Sequence, residues 1–360
     1  MTADFLIIGG GIAGVSAAAR LSHLGSVTLV EAEANLAHHA SSRSAALYEP
    51  RYGAAPVVEL SLAGADEFHS RDGGVLSPRG LMVVGGTGDR AAFEADVAAM
   101  QFAPVTVAEA AGMVPILNPA AVTFAAYADH AWDIDTDRLI QSYLREAKGN
   151  GAIVLTGAPV TGITRDGGRW RVVTPKGDVT ARTLVNAAGP WADAVAGMAG
   201  VKPLGLVGYR RSMARIPAPG GHDVARWPMV FGAGETWYAK PDAGALIVSP
   251  AEEHAMDPHD AWADDMVLAE GLARYEAMVS EPVARLLASW AGLRTFAPDR
   301  VLVIGRDPGE PSFFWLAGQG GYGFQTAPAA SRLAADLIAG RAPDIAADVV
   351  AALSPARFGR

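Results

Sequence analysis

Residues 5–8 are apolar without a break, glycines follow at 9–11, and an alanine-rich stretch with apolar residues runs from 12 to 24. A short, wholly apolar run suits a strand buried on both faces, and the longer stretch, stopped by Gly25, suits a helix. Residues 27–30 repeat the strand pattern and end on an acid, Glu31. The order weakens over 51–138, where patterns are mixed and prolines frequent. It returns as a helix over 139–148, with Asp135 or Thr136 as its cap, and a strand over 152–155. Residues 169–186 predict a hairpin turning at 175–178 that ends in a buried strand over 183–186, and 207–250 alternate as strands do. A last helix is expected over 326–340, with Pro328 in its first turn and Gly340 as its stop, after a strand in "RVLVIGRD". The pattern predicts an α/β, Rossmann-like unit interrupted by a sheet-rich α+β unit. Residues 1–50, 139–205 and 298–360 form the first, and 51–138 with 206–297 the second.

Two glycine clusters carry the chemistry. Gly9, Gly11 and Gly14 make a G-x-G-x-x-G between a strand and a helix. The first permits a tight turn, the second lets a pyrophosphate reach the main chain, and the third lets helix and strand close together. Free N–H groups and partial positive charge at the helix N-terminus favour that anion. Glu31, twenty residues past Gly11, is placed to accept both ribose hydroxyls and disfavours a 2′-phosphate, hence NADP. Residues 318–323 hold four glycines, again between a strand and a helix. Their N–H groups would face partial negative charge on another part of the same ligand.

Composition narrows the field. Half of the 360 residues are hydrophobic and 19% charged, which supports a large core rather than disorder. A net charge of −9 disfavours nucleic acid as a partner. The absence of cysteine excludes disulfides, thiolate nucleophiles and a thioether-linked flavin. No apolar run reaches the ~20 residues of a bilayer span, and no basic residue precedes the first one, so a soluble, cytoplasmic protein is expected. No metal site is expected. Asp133, Asp135 and Asp137 imitate the start of a calcium loop, but Arg138 and Leu144 stand where glycine and glutamate are needed. His254 and His259 lack i, i+4 spacing and read as a solvated loop within 252–265, a candidate cover over the pocket. His38 and His39 follow the ribose acid.

"IIGGGIAG" with Glu31, "SSRSAALY", "LVNAAGPWAD" and "GQGGYGFQTAPA" together resemble the D-amino acid oxidase-like family of FAD-dependent oxidoreductases. "WYAKPDAG", "SWAGLRTF" and "LSPARF" resemble its subgroup of D-arginine dehydrogenase and related D-amino acid dehydrogenases. The resemblance implies a glutathione-reductase-type fold and non-covalent FAD. By it, the pyrophosphate sits on Gly9, Gly11, Ile12, Ala13 and Gly14, and the ribose on Glu31 with Ala32. Ser41, Ser42, Arg43, Ser44 and Ala45 follow the route to the isoalloxazine, Val160 lies near the adenine, and Ala188, Gly189 and Trp191 flank the cofactor. Gly320, Gly321, Tyr322, Gly323, Gln325 and Thr326 face the pyrimidine edge of the ring.

The resemblance also implies oxidative deamination of a D-amino acid to a 2-oxo acid and ammonia, with hydride passing from Cα to flavin N5. Arg294 and Arg211 then match the carboxylate-binding positions, Tyr48 and Tyr238 the phenolic donors, and Gly321 a close main-chain approach. A planar guanidinium suits a carboxylate. Arg210 and Arg211 point opposite ways on a strand, so one faces the pocket, and the resemblance selects Arg211. After "SPR" the subgroup places a carboxylate for a cationic substrate, whereas this chain has Leu81 and Met82. A guanidinium would be unpaired there, so a neutral or apolar substrate is expected, with Leu47 consistent and Glu49 a stand-in acid.

Three rival readings remain. A secondary-amine oxidase of the glycine or sarcosine type, or a 2-hydroxy acid dehydrogenase, would use the same fold. An NAD-dependent dehydrogenase explains 5–31 but not 318–326. Arg294 and Tyr238 stand against a non-catalytic binding protein. Oxygen, a quinone or a carrier would each serve as electron acceptor.

Overall fold

The structure, a computed structural model, describes residues 1–359. Strand Thr2–Ile8 lies at the centre of the first sheet, parallel to Val27–Val30 on one side and Val179–Asn186 on the other. Ile153–Leu155 and Phe313–Ala317 extend the parallel set outward. Antiparallel strands Gly162–Asp166, Arg169–Val173 and Val303–Arg306 bring the sheet to eight. Ile7 faces a core with Val15, Leu29, Tyr143, Phe314 and Leu333, while Leu6 faces Trp170, Leu184 and Trp315. Burial on both faces is why residues 5–8 carry no polar position.

Several expected boundaries move, among them the helix expected over 139–148, which runs Thr136–Gly149, and the strand expected over 183–186, which runs Val179–Asn186. The first helix is Ile12–Leu21, and residues 22–25 form a turn in which Leu24 and Gly25 donate back to the Leu21 carbonyl. The last helix starts at Gly323, so Pro328 lies inside it and packs beside Gly64, where a Cβ would stand 3.3 Å from the proline ring. Helices Ala55–Ala63 and Ala65–Ser70, expected with the second unit, turn Val57, Leu60 and Phe68 into the core of the first.

The second sheet has nine strands. Val207–Pro217 pairs along its length with Ala288–Phe296 and also meets Ala245–Ser249 and His254–Met256. Beyond them follow Tyr238–Asp242, Met229–Gly232, Leu81–Gly85, Phe124–Ala128 and Ala103–Val105. A three-stranded sheet of Leu47–Tyr48, Trp132–Ile134 and Leu76–Pro78 lies where the chain crosses between the units. Among the described residues no helix is long and apolar enough to cross a membrane.

Candidate active site

A cavity of about 450 Å³ opens at the carboxyl ends of the parallel strands. Gly9, Gly11, Ile12, Ala13, Glu31, Ala32, Ser41, Arg43, Ser44, Val160, Ala188, Gly189, Trp191, Gly320, Gly321 and Gly323 all line it. Gly14 lies beneath, where a Cβ would stand 1.8 Å from the Gly9 carbonyl oxygen. Gly9 has φ +108° and no room for a side chain against Ala187. Glu31 accepts hydrogen bonds from the Gly10 and Glu33 N–H groups at 2.6 and 2.8 Å, leaving acceptor sites open on both carboxylate oxygens. The helices Ile12–Leu21 and Gly323–Ala339 begin on Gly11 and Tyr322 with no side-chain cap from either and no acid in the first turn. Two positive helix ends therefore meet one cavity. The N–H of Ile12 is satisfied across the loop by Ser41 Oγ at 3.0 Å.

Five residues expected beside the cofactor lie elsewhere. Ser42 is exposed and donates back to the His38 and His39 carbonyls. The Tyr322 ring packs edge-on against Tyr52 and Phe296. Thr326 is fully buried one turn into the helix, donating to the Tyr322 carbonyl. Ala45 and Gln325 line a second cavity instead, where the Gln325 amide donates to the Tyr52 carbonyl and Ser61 Oγ at 3.1 Å each. Arg43 lines the first cavity, but its guanidinium ties the 40–44 turn to Asp260 and the Ala261 and Ala291 carbonyls. That contact lays part of 252–265 against the cofactor cavity.

The second cavity, of about 90 Å³, shares Ser44, Arg211, Arg294, Gly321 and Phe324 with the first. Its two arginines come from neighbouring strands: Arg294 pairs with Tyr209 and Gly292 with Arg211, so Arg211 and Arg294 share one face. Arg210 turns the other way, toward Glu252 and Asp264. Arg211 meets Glu253 at 3.2 Å. Arg294 has no hydrogen bond or ion pair to any described residue. Burial acts to lower its pKa, but Tyr238, Tyr52, Glu235 and Glu253 outweigh that and hold it above the ordinary value. Gly321 covers the guanidinium so closely that a Cβ would stand 3.1 Å from a terminal nitrogen. Tyr238 lines the cavity, with its hydroxyl 3.3 Å from Met213 Sδ.

Tyr48 is a correction. It is buried against Phe68, donates to the Ser61 carbonyl at 3.1 Å, and lines neither cavity. Side chains alternate along a strand, so Leu47 and Glu49 enter the cavity and Tyr48 faces the core. Burial pushes its phenol up to about 12. Tyr52 joins Tyr238 in the cavity wall instead, and its hydroxyl donates to Glu235 at 3.0 Å. Alternation also separates Leu81, which lines the cavity, from Met82, which enters another core.

Glu49 is 3% exposed, and burial pushes its carboxyl up to about 7. A raised carboxyl pKa contributes stability that is full below the unfolded value near 4.5 and lost as pH rises through 7. Glu49→Gln is therefore expected to melt a few degrees above the unsubstituted protein at pH 8. The gap should close below pH 4.5, as scanning calorimetry across pH can check.

The family of FAD dependent oxidoreductases that includes D-amino acid oxidase matches residues 4–337. The chain belongs to this family. It is 29% identical over 177 residues to hydrogen cyanide synthase subunit HcnC of Pseudomonas aeruginosa, covering 47% of this chain and 40% of that one. Over 267 residues it is 26% identical to human mitochondrial dimethylglycine dehydrogenase, covering 69% of this chain and 30% of that one. The chain thus spans less than half the length of either relative. The crystal structure of glycine oxidase from Geobacillus kaustophilus superposes with a TM-score of 0.84 at 22% identity, covering 99% of both chains, which shows the shared fold. FAD is the cofactor of the family member described here, and the first cavity fits it. Uncapped helix ends suit the phosphates and ring, and the open acceptor sites of Glu31 suit a ribose.

Proposed function

We propose that the protein oxidises a neutral or apolar D-amino acid to its 2-oxo acid and ammonia. Arg294 carries this reading, as a guanidinium at the junction of the two cavities with no protein partner. Its planar fork suits an α-carboxylate, and Arg211 adds charge from the same face. When bound, FAD supplies the acceptor for a hydride and its two electrons. The chain's contribution is positioning. A carboxylate held by Arg294 under the Gly321 main chain directs Cα toward the first cavity, and fixed orientation of this kind removes much of a barrier. Tyr238 and Tyr52 add hydroxyl groups to the wall. Leu47, Leu81, Met100, Met229 and Phe231 leave an apolar place for the side chain. The D configuration follows from the subgroup resemblance.

A second reading, a glycine-type or N-methylglycine oxidase, draws support from the dimethylglycine dehydrogenase relative and from a cavity of only about 90 Å³. Anaerobic flavin reduction with a substrate panel separates the two. D-leucine, D-methionine and D-phenylalanine should exceed D-arginine and D-lysine, and all should exceed glycine, sarcosine and 2-hydroxy acids. Faster reduction by D-arginine, or by sarcosine, would overturn the first reading.

A further inference from the structure

We infer that Glu49 takes the proton from the substrate's ammonium group and passes it to His130 and thence to solvent. The inference rests on the amino acid reading above, because only an amine substrate needs such a step. Glu49 lines the substrate cavity, is buried, and one carboxylate oxygen, Oε2, has no hydrogen-bond partner. The other, Oε1, accepts from the Arg51 N–H at 3.0 Å and lies 3.2 Å from His130 Nε2. The His130 side chain is 29% exposed, while its Nε2, like Glu49 Oε2, is buried with no hydrogen-bond partner, so the ring stands between a buried acid and water. A buried carboxylate oxygen left without a donor is costly unless a ligand supplies one. An ammonium supplies both a donor and a proton.

The step balances. The ammonium gives one proton to the Glu49 carboxylate, which frees the nitrogen lone pair. The Cα–H bond then breaks, with hydrogen and both electrons leaving as hydride to FAD, while the lone pair forms the C=N bond. Water hydrolyses the resulting iminium to the 2-oxo acid and ammonium. The proton on Glu49 moves to His130 Nε2 and out through the exposed ring. The charged and titratable groups around Glu49 are His130 with its neighbour Asp129, Arg51 on its own segment, and Arg211, Arg294, Glu235, Tyr52 and Tyr238 across the cavity. Glu49 accepts a proton only when ionised, so kcat/KM should rise with pH through the neutral range.

The test is anaerobic flavin reduction by the preferred amino acid from pH 5 to 10, in holoenzyme of known flavin content. Glu49→Gln is expected to lower kcat/KM at pH 7 by on the order of a hundredfold. The neutral limb should vanish, leaving a rise only where the amine loses its own proton. His130→Gln should slow turnover less and recover with added imidazole. Difference infrared spectra of the substrate-free holoenzyme should show a protonated carboxyl that titrates near neutrality and is absent from Glu49→Gln. A variant that keeps both rate and pH limb overturns the inference, as does one that loses only cationic substrates, which would make Glu49 a specificity residue. If no amino acid reduces the unsubstituted protein's flavin, the functional reading falls and the proton route with it, an outcome distinct from an unchanged variant.

Discussion

Arg294→Ala is expected to lower kcat/KM for the preferred amino acid by about a thousandfold while the protein stays folded and retains FAD. Removing one partner of a desolvated ion pair costs about 3–5 kcal/mol, because the other charge is left without a counter-ion. At about 1.36 kcal/mol per decade this is two to nearly four orders of magnitude. Here the stranded charge is the substrate's carboxylate and not a group of the protein, since Arg294 has no partner in the chain. Stability should therefore change little. Arg294→Lys keeps the charge but loses the fork, and should recover only part of the loss. Arg211→Ala should cost less in binding and more in folding, because it strips Glu253 of a buried partner, though Arg300 still pairs that acid at 2.8 Å. Stopped-flow reduction and thermal melting of the three variants separate these effects.

Gly14→Ala is expected to yield protein without bound FAD and with a melting temperature lower by about 7–9 °C. The added methyl would stand 1.8 Å from the Gly9 carbonyl oxygen, in a contact between two main chains that neither can yield. Overpacking of this kind costs about 1–3 kcal/mol. Losing a ligand present at a thousand times its Kd removes about 4 kcal/mol more. Gly11→Ala is the informative companion. Its Cβ would meet only Ser41 Oγ, at 3.2 Å, and its backbone is extended, so the ligand-free protein should melt close to the unsubstituted one. The methyl lies on the cavity wall, however, and should weaken FAD binding at least tenfold. Flavin content and melting curves with and without added FAD test both variants.

Local chemistry made the first unit legible. Two-sided burial leaves an unbroken apolar run at 5–8, and the glycines at 9 and 14 sit where the main chain admits nothing larger. The second unit was less legible because its chemistry depends on pairing between distant segments. That Arg211 and Arg294 share a face follows from the register of strands about eighty residues apart, which no local pattern reports. Tyr48 shows the converse. Leu47 and Tyr48 form a short strand that leads into Glu49, and alternation along this extended stretch sets Tyr48 opposite its two neighbours. Tyr52 and Glu235 carried no sequence signal, since Glu235 reaches the cavity from a turn in the left-handed region, at φ +53°, and meets Tyr52 from the far side of the chain. Val57 and Leu60 joined the first core because their helix packs against Gly323–Ala339, the helix that the second glycine cluster opens, and Phe68 follows on the next helix, whose Glu67 pairs with Arg332.

The central claim is that two helix ends, opened by glycine clusters some three hundred residues apart, hold one FAD against an amino acid clamped by Arg294. The most direct measurement is the visible spectrum of the purified protein, recorded anaerobically before and after adding an amino acid. The account predicts flavin bands that bleach on addition. Protein that shows no flavin bands even after incubation with FAD, or bands that no amino acid bleaches, would contradict it.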